Sequence, residues 1–463
     1  MTQLEALDIL KLGHNVFLTG AAGSGKTYLL NKYIEYLKSH KIPVGITAST
    51  GIAATHMGGT TIHSFSGMGI KDAMSQKDIS DLFKRQYLRK RFLHTKVLII
   101  DEISMLHSHR LDMVNMICQA FKKNDLPFGG MQIVMCGDFF QLPPVSRGDP
   151  SAPKGTTSDE GRSSGQVKAD FVTESAIWQE MQLKICYLDE QHRQDDRAFL
   201  RVLNDIRNNE VNEATVEHLS ERLHKKTEGY TRPTKLFTHN TDVDAINKTQ
   251  LEALKGEEHE YQMNWRGSLG LTETLRKSCL APERLVLKIG AQVMFVKNNY
   301  EAGYVNGTLG EVIHFDENNS PVIRTFDGAE IKAGYASWEV KDPSTSSGQE
   351  VLAAISQIPL RLAWAITVHK SQGMSLDAAE IDLTRSFIPG MGYVALSRVR
   401  SLKGLKLLGI NQMALQVNPQ VLEIDQEFHK TSNEAMLYLA GLTQEKKKKM
   451  HEDYLAYMKG MNF

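Results

Sequence analysis

VFLTGAAGSGKTYLLNKYIEYL, residues 16–37, is the stretch whose reading decides the fold. It opens on an apolar run of strand character, and Leu29, Leu30, Tyr33, Ile34 and Leu37 recur at helical spacing. Between strand and helix, GAAGSGKT (20–27) fits G-x-x-x-x-G-K-[ST] at every fixed position. Gly20, Gly23, Ser24 and Gly25 form a loop whose backbone N–H groups turn inward on phosphate oxygens, helped by the positive end of the helix. Lys26 is expected to reach the β- and γ-phosphates, and Thr27 to ligate Mg²⁺. The stretch therefore predicts a nucleoside triphosphate site with Mg²⁺, and the motifs that follow must decide which user of ATP or another triphosphate this is.

The chain has 463 residues, too many for one ordinary core, so several domains are expected. Lys plus Arg and Asp plus Glu both number 54, so net charge announces no nucleic-acid partner, and any polyanion site must come from local clustering. The four cysteines, Cys118, Cys136, Cys186 and Cys279, stand apart without metal or disulfide spacing. With no apolar run long enough to span a bilayer and no secretory leader pattern, a soluble cytoplasmic protein without a membrane partner is expected.

Apolar runs alternate with helical patterns up to about residue 145: VFL, VGI (44–46), VLII (97–100) and IVMC (133–136). That alternation predicts a parallel sheet wrapped by helices. The segment 146–168 is nearly devoid of apolar residues and is expected to be an exposed insertion. A second α/β unit restarts with LKICYL (183–188) and KLFT (235–238), is interrupted by short β-like runs between about 284 and 342, and resumes with LRLAWAITVHKSQG and AAEIDL. The interruption predicts a small inserted β-barrel.

The remaining motifs narrow the chemistry. VLIIDE (97–102) is a buried strand ending in two carboxylates, which assigns Asp101 to the metal and Glu102 to the attacking water. GDFFQLPPV (137–145) follows another strand and brings Asp138 and Gln141 to the same sheet edge, with Gln141 sensing the γ-phosphate or the water. Phe139, Phe140, Pro143 and Pro144 either form a ledge beneath a base or pack into the core. TASTGIAA (47–54) and GGTTIHSF (58–65) offer amides and hydroxyls suited to sugar–phosphate contacts. EQHRQ (190–194) and VALSRVR (394–400) each carry an arginine placed to reach a γ-phosphate from a partner domain, or serving only surface ion pairs. TVHKSQG (367–373) puts Thr367, His369 and Lys370 beside a glycine, for strand contact or, at His369, as a satisfied buried histidine.

In this order the motifs closely resemble those of the superfamily-one helicases of the PIF (petite integration frequency) type, relatives of the RecD proteins. The most specific stretch is LDMVNMICQAFKKNDLPFGGMQIVMCGDFFQLPPV, 111–145. The resemblance implies two tandem RecA-like parallel-sheet domains with an inserted β-barrel and a small wedge subdomain. It divides the chain into a first ATPase domain (1–178, wedge at about 66–95), a second domain in two parts (179–283 and 351–410), the barrel (284–350) and a helical tail (411–463). It further implies Gln3 at the adenine and Lys26, Thr27, Asp101, Glu102, Gln141, Arg193 and Arg398 at the phosphates. Along single-stranded DNA it implies Thr50, Gly51, His63, Phe65, Phe139, Pro143, Asn240, Thr367, His369 and Lys370. The expected activity is 5′-to-3′ translocation on single strands by a protein monomeric in its ground state, with unwinding of duplexes, forks or other structured DNA such as G-quadruplexes and RNA–DNA hybrids, in a bacterial, nucleoid-associated setting. Rival readings are a nucleotide-switched strand binder that opens no duplex, a subunit of a nuclease complex, and a nucleotide kinase. The last leaves the second unit and its arginines without a task.

Overall fold

The computed structural model describes residues 1–69, 71, 73–144, 170–191, 196–227, 233–299, 301–326, 328–341 and 351–460. The polar insertion at 146–168, the serine-rich 342–349 and Arg193 lie outside the described residues. Six strands, β1 (Val16–Gly20), β2 (Val44–Ala48), β3 (Thr60–Thr61), β4 (Val97–Asp101), β5 (Gln132–Cys136) and β6 (Lys184–Leu188), form a parallel sheet in the order β3-β2-β4-β5-β1-β6. Every residue of β1, β4 and β5 is buried, as strands covered on both faces must be. Side chains alternate between two cores. Phe17, Leu98, Ile100, Ile133 and Met135 enter one, and Val16, Leu18, Val97, Ile99, Val134 and Cys136 the other.

The second core is closed by α1 (Gln3–Lys11), α2 (Lys26–Ser39) and, from far along the chain, the helices Pro419–Gly441 and Gln444–Gly460. A capping box between Thr2 and Glu5 starts α1 and fixes Gln3 in its first turn. The tail docks through polar as well as apolar groups. Tyr33 and Tyr454 both donate to Gln132 Oε1 at 2.7 Å, while Gln132 Nε2 donates to the carbonyls of Leu10 and His14. Where a wedge is expected, two short helices, Gln76–Phe83 and Gln86–His94, stand between β3 and β4.

The second α/β unit is a four-stranded parallel sheet in the order Ala365–Thr367, Thr234–Phe237, Ala379–Leu383, Leu405–Ile410. The two tandem parallel sheets expected from the sequence are thus present, but LKICYL, expected to open the second unit, instead forms the edge strand β6 of the first sheet, paired in parallel with β1, a placement that a buried apolar run does not declare by itself. Between Thr234–Phe237 and Ala365–Thr367 the chain builds antiparallel sheets with a core of their own around Leu285, Val293, Phe295, Ile323 and Leu360. Their strand pairing begins at His259 and runs to Leu362, wider than the β-like runs between about 284 and 342. The added strands His259–Gln262 and Asn264–Gly267 are mostly exposed, which hid them.

No helix among the described residues is long and apolar enough to cross a membrane. The Tyr454→Ala variant removes a buried ring and two hydroxyl contacts at the tail dock, so a loss of about 3–5 kcal/mol is expected in urea unfolding. Rapid proteolytic loss of the C-terminal helices should accompany it. An unchanged urea midpoint would show that the dock contributes nothing.

Candidate active site

Strand ends of the first sheet converge on one cleft. The phosphate loop leaves β1 with Gly20, Gly23 and Gly25 at positive φ (139°, 91° and 86°), conformations that side-chain-bearing residues rarely adopt. A Cβ on Gly20 would lie 2.6 Å from the Leu188 carbonyl oxygen, so the loop also needs glycine there for space. Lys26 Nζ donates to the Gly20 and Ala21 carbonyls at 2.8 and 3.0 Å, folded back over the loop. Ser24 Oγ is buried and has no hydrogen-bond partner, and Gln3 Nε2 donates to the Ser24 carbonyl at 3.3 Å. An anion cradle with an unspent hydroxyl and a retracted lysine fits a polyphosphate.

At the end of β4, Asp101 and Glu102 face the same cleft. Glu102 adopts a left-handed backbone (φ 50°) and donates its N–H to Asp101 Oδ1 at 2.8 Å, which turns its side chain away from the strand axis. Burial, and next the adjacent Asp101 carboxylate, push the Glu102 carboxyl up to about 7 against the opposing charges of Lys26 and Arg398. Burial also raises Asp101, opposed by the Glu102 amide. Thr27 and Asp101 both line the cleft as oxygen donors, a set that fits Mg²⁺.

The cleft, about 590 Å³, has two walls. One carries Lys26, Thr27, Asp101, Glu102 and Gln141, and the other brings His369, Gln372 and Arg398 from the second sheet. Gln372 crosses between them, donating to Glu102 Oε2 at 3.0 Å and to Gln141 Oε1 at 3.4 Å. Arg398, only 1% exposed, donates to the Val394 carbonyl and the Ser397 hydroxyl while reaching the cleft.

A second cleft, about 470 Å³, lies beside the first. Thr50, Gly51 and Lys370 line it together with Arg276 and Arg361. Arg361 Nε is buried without a hydrogen-bond partner, as a guanidinium waiting for an anion would be. Thr50 lines both clefts, and the consecutive His369 and Lys370 line one each.

Other expected strand contacts are placed differently. Thr367 is buried at the end of its strand and its hydroxyl accepts the Lys370 N–H. Pro143 is half-buried. Asn240 opens the helix Asn240–Ala253, its side chain lying outside the described residues. His63 accepts a 2.7 Å hydrogen bond from Arg110, and burial followed by the Arg110 charge pushes it down to about 4, so it is a neutral acceptor. Two of the expected strand contacts have buried rings. Phe65, 4% exposed, packs edge-on to Phe92, and Phe139, 3% exposed, sits among Phe17, Phe171 and Phe428. Neither ring has a face free for a base in this conformation. In this conformation both rings serve the core, where their apolar area is buried.

Three functional residues escaped sequence reasoning: Gln372, Arg207 and Tyr393. Arg207, in the last turn of the helix Arg197–Arg207, donates to Asp138 Oδ1 (2.8 Å), Tyr187 Oη (2.9 Å) and Tyr393 Oη (3.2 Å), and lies 3.9 Å above the Phe140 ring. Tyr393 Oη in turn accepts the Ala22 N–H of the phosphate loop at 3.1 Å. Burial opposes ionisation of Asp138, but Arg207 and then Lys26 outweigh it and hold the carboxyl below its usual range. Gly390 (φ 85°), at the start of Tyr393's helix, lies so close to the Gly137–Gln141 turn that a Cβ would come 2.7 Å from the Phe140 carbonyl oxygen.

A family model described as PIF1-like helicase matches residues 3–217, and one described as DNA helicase Pif1, 2B domain, matches 270–315. The ATP-dependent DNA helicase Pif1 of Psychrobacter sp. (strain PRwf-1) is 43% identical over 98% of this chain and 75% of its own. The crystal structure of Bacteroides sp Pif1 in complex with ADP-AlF4 is similar with a TM-score of 0.75 at 29% identity, covering 93% of this chain and 97% of that one. That of Bacteroides Pif1 bound to ssDNA gives 0.62 at 30% identity, with the same coverage of both chains.

The Arg207→Ala variant strands Asp138 as a buried charge, so a loss of about 3–5 kcal/mol is expected in chemical unfolding. Adding Asp138→Asn should recover most of that loss. Equal stability of the single and double variants would show that the ion pair carries no coupling.

Proposed function

The chain belongs to the PIF1-like helicase family and is an ATP-dependent DNA helicase, and from that premise we propose how its own residues run the reaction and grip the strand. The observation that carries the proposal is the two-walled cleft, in which Gln372 and Arg398 from the second sheet face Lys26, Glu102 and Gln141 from the first. Arriving phosphates draw Lys26 off the Gly20 and Ala21 carbonyls, and Gln3 lies against the loop at the adenine side. Mg²⁺ held by Thr27 and Asp101 would neutralise phosphate charge. Glu102 takes a proton from the attacking water as the water oxygen bonds to the γ-phosphorus and the bond to the β-bridging oxygen breaks. Gln141 and Gln372 hold that water, and Arg398, joined by Arg193, stabilises the charge on the transferring group.

In the second cleft, Lys370, Arg276 and Arg361 follow the phosphates of single-stranded DNA, and Thr50 and Gly51 meet its sugar–phosphate backbone. Thr50 and the His369–Lys370 pair, shared between the clefts, pass cleft closure to the strand. The lower similarity to the ssDNA-bound Bacteroides protein than to its ADP-AlF4 complex supports a rearrangement when a strand enters. The 5′-to-3′ direction of travel, with opening of forks and of other structured DNA, is taken from the family resemblance.

Unwinding of matched duplexes carrying either a 5′ or a 3′ single-stranded tail tests the proposal. Only the 5′-tailed substrate should be opened, and opening of the 3′-tailed one alone would reverse the assigned direction. Lys26→Ala should abolish turnover, whereas Glu102→Gln should bind ATP and leave it uncleaved. A working base must be ionised, so kcat/KM for ATP should fall as pH drops through about 7, the value at which burial and Asp101 hold Glu102. A flat profile between pH 6 and pH 8 would remove Glu102 from that role. Arg361→Gln should weaken single-strand binding and lower the salt slope by about 1, the signature of one lost phosphate contact. An unaltered slope would take Arg361 off the strand.

A further inference from the structure

Just beyond Glu102 the chain passes through the turn Ile103–Met105 and enters the helix Ser108–Lys122. At that entry three side chains from two distant segments meet. His107 Nδ1 and His109 Nδ1 each lie 3.2 Å from Asp170 Oδ2, and an antiparallel bridge between His107 and Phe171 holds the segments in register. The other carboxylate oxygen, Oδ1, is already engaged: it accepts the Ser108 N–H at 3.3 Å and the Ser108 hydroxyl. Capping the helix therefore uses Oδ1, and the convergence of two imidazoles on Oδ2 is additional to it.

One ligand atom from each of the three residues lies within 4.8 Å of the others. Donors about 2.1 Å from an ion and disposed tetrahedrally stand roughly 3.4 Å apart, close to the two histidine–aspartate separations. Two imidazoles with one carboxylate select first-row transition ions over Mg²⁺ or Ca²⁺, which prefer all-oxygen sets. We propose that His107, His109 and Asp170 form a binding site for a first-row divalent metal ion of the Zn²⁺ class, with a fourth position open to water. This site stands apart from Thr27 and Asp101 and does not depend on the roles assigned in the ATP cleft. Its ion ties the segment following Asp101 and Glu102 to the Asp170–Phe171 stretch that pairs with His107. It also steadies the helix start from which Arg110 donates to His63.

The test uses the full chain, freed of metal with a chelator and titrated with Co²⁺ in excess Mg²⁺, so that hard-oxygen sites are already occupied. One equivalent of Co²⁺ should develop ligand-field absorption that Zn²⁺ then displaces, and Zn²⁺ should raise the melting temperature. The double variant His107→Ala/His109→Ala should lose both responses. Asp170→Asn keeps an acceptor for Ser108 but loses the anionic ligand, and should weaken Co²⁺ binding about tenfold or more. His109→Gln, at a half-exposed position, provides a second, milder removal of one ligand. Absence of the one-equivalent absorption in the unaltered protein, or undiminished absorption in the double variant, would overturn the site.

Discussion

One buried ion pair holds the two sheets against each other. Arg207 of the second unit and Asp138 of the first are both inside the protein, so neither charge is tolerable without the other. Around that pair the hydrogen bonds run without a break from the Glu102 carboxylate to the phosphate loop: Glu102 to Gln372, Gln372 to Gln141, Gln141 to Asp138, Asp138 to Arg207, Arg207 to Tyr393, and Tyr393 to the Ala22 amide. Low local dielectric strengthens each link and raises the cost of breaking any one. This relay crosses between the units four times on its way to the loop, so a change at the nucleotide is felt directly at their junction.

The tail adds a third party to this junction. Asp425 of the helix Pro419–Gly441 lies 3.6 Å from Arg207 and accepts the Tyr187 hydroxyl, while Ser432 of the same helix accepts the Tyr187 N–H. Phe428, between them, packs against Phe17 and Phe139. The terminal helices thus buttress the strand ends that carry the site. On the far side, sharing Thr50 and the His369–Lys370 pair between two clefts makes the nucleotide and strand sites neighbours with common walls. Coupling of the two needs no long relay.

Much of this was legible in the sequence because the residues that touch phosphate sit at strand ends, in short motifs whose glycines, lysine and carboxylates have few other uses. GAAGSGKT, VLIIDE and VALSRVR all reach one cleft, as their chemistry predicts. Residues that act across the junction were harder to read. Arg207 ends an amphipathic helix, where a basic residue ordinarily complements the helix dipole in solvent, and nothing local marks its carboxylate partner at position 138. Gln372 lies within TVHKSQG, but an amide beside a histidine and a lysine does not declare which wall it will cross to. Phe65 and Phe139 show a different ambiguity. Aromatic character signals stacking or core equally, and only the fold decides which face is covered. The β unit ran wider than its apolar runs because HEYQ and NWRG, exposed on most positions, lack the alternation that marks a half-buried strand.

The central claim is that the reaction is completed by a residue from the opposite unit, and Arg398 tests it most directly. ATP binding and single-turnover hydrolysis are measured with saturating single-stranded DNA for the unaltered protein and for Arg398→Ala. The account predicts that nucleotide still binds, because the phosphate loop is intact, while hydrolysis slows by about 10³–10⁵. Hydrolysis within about twofold of the unaltered protein, where a lost transition-state contact predicts orders of magnitude, would contradict a site shared between the two sheets.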